Sequence, residues 1–164
     1  MSMWYRTRIE ISGLTLNQAA AITARGKDFL GSIIPLPKTI ELDENGFYKT
    51  EKDKESAREF YDKERDCRFI NCDWKYTVYP EYGGYRVLVE AQTEDIPKKE
   101  ILKFIKEFEM EKDWQCIEFL ATSFWEEFDE GSDNWILRAE IISDEKQKLT
   151  MTEYAVKTPL TYVI

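Results

Sequence analysis

Histidine is absent from the 164-residue chain. With it go the usual general base, the Ser-His and Cys-His nucleophile pairs and the commonest transition-metal ligand. Cysteine is sparse: Cys67, Cys72 and Cys116 are odd in number and lack CxxC spacing, which disfavours disulfides and a four-cysteine zinc site and leaves buried thiols as the plain reading. No apolar run approaches the roughly 20 residues of a membrane helix, and no apolar stretch follows a basic one at the N-terminus, so a cytoplasmic protein without a membrane partner is expected. Bases are outnumbered, 23 Lys and Arg against 32 Asp and Glu. That balance argues against direct nucleic-acid binding, which needs a basic stripe, and favours basic partners.

What the chain has in excess is acid in one place. From Glu107 to Asp133 there are ten carboxylates and a single base, Lys112, so this stretch alone accounts for the net charge of −9. Residues 1–82 hold 13 bases and 14 acids; residues 83–164 hold 10 and 18. Phe108, Trp114, Ile117, Phe119, Leu120, Phe124, Trp125 and Phe128 lie between the charges, so the segment reads as folded, unlike an acidic tail that lacks aromatics.

Periodicity places the elements. Tyr5, Thr7, Ile9 and Ile11 alternate with Trp4, Arg6, Arg8 and Glu10 as in a half-buried strand ending at Gly13. Trp4 is either exposed or sandwiched. Thr15 and Gln18 form a capping-box signature for a helix to about Ala24. Residues 25–46, punctuated by Gly26, Gly31, Pro35, Pro37 and Asn45-Gly46, read as irregular, and the charge-rich stretch from Thr50 to Arg65 as a short solvated helix. Phe69 to Tyr79 and Tyr85 to Ala91 predict an antiparallel hairpin around Pro80 to Gly84, in the middle of the sheet.

Asp95 and Pro97 open a helix to about Asp113, with Glu100, Glu107 and Glu111 along one flank of its apolar face. Gln115 to Phe124 and Trp135 to Ile142 read as strands, with edge strands possible at Leu149 to Val156 and Leu160 to Ile164. Glu118 shares a strand face with Cys116 and Leu120 and is set apart from the acidic surface. The expected architecture is a single α+β domain, a ferredoxin-like split βαβ core with an insert at about 25–65 and a C-terminal extension at about 144–164.

Three stretches carry a family resemblance: Trp4 with Arg8-Ile9-Glu10-Ile11-Ser12-Gly13, the run Ile34-Pro35-Leu36-Pro37, and Phe60-Tyr61-Asp62 followed by Asn71-Cys72-Asp73-Trp74-Lys75. Over about Met3 to Ile142 the chain resembles the ferredoxin-fold family named after YubB, found in plasmid and phage proteins. The resemblance implies a ferredoxin-like fold and a mobile-element origin in a bacterial host cell, and it assigns no catalytic residues.

The chemistry is weighed against this background. Asp129-Glu130-Gly131-Ser132-Asp133 lacks the alternating ligand spacing of an EF-hand loop, so no metal or cofactor is assigned. A non-enzymatic role is expected: an acidic face imitating nucleic acid and blocking a basic nucleic-acid-binding protein or complex, as an anti-restriction or anti-CRISPR factor does. A DNA strand carries a charge about every 3.4 Å, a density such a face can match. The candidate partner-binding residues are Glu107, Glu111, Glu126, Glu127, Asp129, Glu130 and Asp133, with Trp125 and Phe128 either as anchors in the interface or as pins holding the connection to the core. The alternatives are a carboxylate enzyme using a divalent metal, and an accessory module that works through its apolar sheet or edge strands, alone or as a homodimer.

Overall fold

The strand that opens the chain sits at the centre of the fold. In the computed structural model, which describes residues 4–67, 73–109, 116–125, 134–142 and 148–156, strand β1 (Tyr5–Leu14) pairs antiparallel with β3 (Gly84–Thr93) on one side and with β4 (Ile117–Trp125) on the other. β2 (Lys75–Glu81) lies beyond β3, while β5 (Asn134–Ile142) and β6 (Lys148–Val156) lie beyond β4. The six strands run in the order β2-β3-β1-β4-β5-β6, all neighbours antiparallel.

Four helices are described: α1 (Leu16–Thr23), α2 (Phe29–Ile33), α3 (Glu51–Glu64) and α4 (Lys98–Glu109). The architecture is α+β. No described helix is long and apolar enough to cross a membrane.

One face of the sheet builds the core. Ile9, Ile11, Val87, Val89, Phe119, Ala121, Leu137 and Ile141 point from the strands into a single cluster with Ala19 and Ile22 of α1, Phe29, Leu30 and Ile33 of α2, and Ile101, Phe104, Ile105 and Phe108 of α4. The apolar positions of α4 recur at three and four residues, so they form the stripe that this face covers. α3 belongs to a smaller cluster, where Ala57 and Tyr61 close over Ile40. At one end of the three central strands Thr7 Oγ1 lies 2.7 Å from both Thr93 Oγ1 and Ser123 Oγ, a buried chain of hydroxyls that satisfies polar groups without charge.

The capping box forms as the spacing predicts: the Gln18 amide donates to Thr15 Oγ1 and the Thr15 amide to Gln18 Oε1. Three features differ from the sequence reading. First, β1 continues through Gly13 to Leu14, because Gly13 adopts φ +82° at an irregularity in the β1–β3 register and lets the strand pass against the Cys116 carbonyl.

Second, α2 lies inside the stretch read as irregular. Asp28 caps it by accepting the Gly31 amide, and Phe29, Leu30 and Ile33 are buried, so tertiary burial outweighs the punctuation. Third, the hairpin is not central. β2 is an edge strand with Val78 and Tyr79 exposed, and it tolerates Pro80 there because one side of an edge needs no ladder donor. Trp74 is buried but precedes the strand, its amide bonded to the Lys27 carbonyl. Residues 68–72, including the expected start of that strand, and residues 160–164 lie outside the described residues.

Candidate functional site

The acidic stretch is divided by β4. On its N-terminal side Glu107 belongs to α4, whose Phe108 ring packs 5.5 Å from Phe119 near the start of β4. On its C-terminal side the eight-residue connection carrying Glu126, Glu127, Asp129, Glu130 and Asp133 leaves from Trp125. Six residues of extended strand separate Phe119 from Trp125, about 20 Å. The two acidic segments therefore attach at opposite ends of the strand.

Of the nine candidate residues, Glu107 and Trp125 are described; Glu111, Glu126, Glu127, Phe128, Asp129, Glu130 and Asp133 lie outside the described residues. Glu107 accepts from Arg25 Nη2 at 2.9 Å, and Arg25 also lies over the Phe104 ring. Its charge is thus engaged in joining the segment after α1 to α4. Trp125 is half-buried, edge-on to Tyr5 at 5.4 Å, and its amide donates to Asn134 Oδ1 at 2.8 Å. Both contacts fix where the connection departs from β4 and rejoins β5.

The sheet face away from the helices carries a second set of charges. Trp4 and Arg6 are exposed there, and Arg8 and Glu90 form an ion pair at 3.4 Å. Glu118 is exposed on this face. Alternation along β4 sends it to the side that no described helix covers, the face opposite α4 and Glu107. Glu118 stands opposite Glu140 in the β4–β5 register, a like-charge pair that costs a few tenths of a kcal/mol or more. Together with Glu10, Ser12, Arg138 and Thr152 they line an open hollow of about 350 Å³. Neither Glu10 nor Glu140 falls inside the stretch singled out by charge counting.

Periodicity does not reveal the burial of Glu100. Its helical angle sets it on the same flank as Glu107, yet it is fully buried. The segment after α3 closes over it: Glu100 Oε1 accepts the Asp66 amide at 2.7 Å, while Asp66 Oδ2 accepts the Lys99 amide at 2.8 Å, so the end of α3 and the first turn of α4 cap each other. Burial pushes the Glu100 carboxyl up from 4.5 to about 7, opposed by the Asp66 amide and the Arg65 charge.

The folded protein therefore holds this proton up to about pH 7, whereas the unfolded chain releases it near 4.5. Stability falls as pH rises through that window and levels off above it. In urea titrations, Glu100→Gln should remove this fall. The stability difference between wild type and variant should shift by up to about 3 kcal/mol in favour of the variant between pH 4.5 and 8.

Among the described residues no group of three or more Cys, Asp or Glu side chains is gathered as metal ligands. No family model, curated protein or solved structure matches the chain.

Proposed function

We propose that the chain is a non-enzymatic binding protein of a phage or plasmid, in which the acidic β4–β5 connection presses against the phosphate-binding groove of a host nucleic-acid-binding complex and blocks it. The carrying observation is five carboxylates with no base in the eight residues between Trp125, which packs on Tyr5, and Asn134, whose Oδ1 accepts the Trp125 amide. Negative charge of this density speeds association with a basic groove and makes it salt-dependent. The scaffold in this reading is a ferredoxin-like core, β1-α1-β2-β3-α4-β4, with α2 and α3 as the insert and β5 and β6 as the extension. The antiparallel order β2-β3-β1-β4 supports it. Glu107, already paired with Arg25, contributes little to the contact in this reading.

The test is charge reversal of Glu126, Glu127, Asp129 and Glu130 to Lys together. In pull-downs from bacterial lysate the wild type should retain a basic nucleic-acid-binding partner at low salt and release it steeply as salt rises. The reversal should weaken binding at least about 100-fold with an unchanged circular-dichroism spectrum, while Glu107→Lys should leave binding intact. Binding that survives the reversal overturns the reading and moves the interface to the sheet face that no described helix covers.

A further inference from the structure

Three buried polar atoms at the junction of α3 and α4 have no hydrogen-bond partner among the described residues: Arg65 Nε and Nη2 and Glu100 Oε2. Native interiors rarely leave such atoms unmet. Arg65 ties the group together. It is 3% exposed, its guanidinium lies 5.1 Å over the Tyr61 ring, and its charge acts on Glu100, Asp28 and Tyr61. The Nε–Nη2 edge is the side of a guanidinium that matches a carboxylate, and the nearby Glu100 has one free oxygen.

We propose that Glu100 and Arg65 form a proton-gated pair: the neutral carboxyl leaves Arg65 stacked on Tyr61, and the carboxylate draws the free guanidinium edge onto Oε2, fastening α3 to α4. The surrounding charges are those such a device needs. Asp28, ahead of α2, is occupied with the Gly31 amide, and Asp66, between α3 and the covered turn of α4, is occupied with Lys99 through its amide and, at 3.9 Å, its Nζ. Lys99 Nζ also reaches the Lys63 carbonyl of α3, and Tyr48 faces Tyr61 from the insert. Among these groups Arg65 is the cation with an unmet donor edge, and Glu100 is the carboxyl whose pKa lies close to neutrality.

The experiment follows the Glu100 carboxyl carbon and the Arg65 Nε–H resonance by NMR in the full chain from pH 5 to 9, with Glu100→Gln to assign the carboxyl signal. Both resonances should titrate with one midpoint near 7, and the Arg65 signal should become flat with pH in Glu100→Gln. Titration of Glu100 near its ordinary 4.5, or an Arg65 signal that stays flat through the Glu100 midpoint, overturns the pairing. Should the variant fail to fold, the coincidence or separation of the two wild-type midpoints decides the matter alone.

Discussion

Replacing Phe104 by alanine should cost about 3–5 kcal/mol of stability, the range for removing a fully buried phenylalanine. The ring is 0% exposed and lies at the meeting point of four segments. Its centroid is 5.0 Å from Phe29 of α2, 5.0 Å from Phe108 one turn along α4 and 6.2 Å from Phe119 of β4, each edge-on, and Arg25 stacks over it at 5.0 Å. Edge-on pairs each add about 0.5–1.5 kcal/mol beyond area burial. The substitution also leaves the Arg25–Glu107 pair without its support. Urea denaturation should show the midpoint falling by roughly 1–3 M at an unchanged slope. Phe47→Ala, at a side chain 69% exposed, should move it hardly at all.

Gly13→Ala should be comparably damaging for a different reason. At φ +82° an L-residue costs about 1–2 kcal/mol, and an added Cβ would lie 2.0 Å from the Cys116 carbonyl oxygen, which is backbone and cannot rotate away. Relief requires β1 and the start of β4 to move apart, loosening a pairing at the centre of the sheet, so a loss of more than 3 kcal/mol is expected. Gly83→Ala isolates the two effects. Its φ is +84° with nothing within 4 Å, so thermal or urea unfolding should show only the conformational part, about 1 kcal/mol.

What could be read from the sequence was local. The alternation of Tyr5 to Ile11, the Thr15/Gln18 capping box and the apolar spacing of Ile101, Phe104, Ile105 and Phe108 each depend on neighbours within a turn or two, and each became the element it predicts. Partners supplied from far away decided the rest. Which strand is central depends on pairing between Tyr5 and Thr93 and between Tyr5 and Trp125, for which β1 carries no local mark. Glu100 and Glu107 occupy equivalent helical positions; one is sealed by Asp66 and the other meets Arg25, and neither partner is near in sequence. Glu118 is exposed because no described helix covers its side of the sheet, a property of the whole architecture. The charge count located the acidic stretch correctly as sequence, while β4 separates its two attachment points.

The central place of β1 sets the order in which the chain can fold. Thr7 finds its partners Thr93 and Ser123 at separations of 86 and 116 residues. At 5–20 residues per second a ribosome takes roughly 6–20 seconds to supply the second of them. Closing loops of that length makes such pairing slow compared with helix or hairpin formation. The β2–β3 hairpin and the capped helices form while β1 still waits with both edges bare. The strand that ends up between β3 and β4 in the finished sheet, residues 5–14, is thus the one most exposed to wrong strand partners during synthesis.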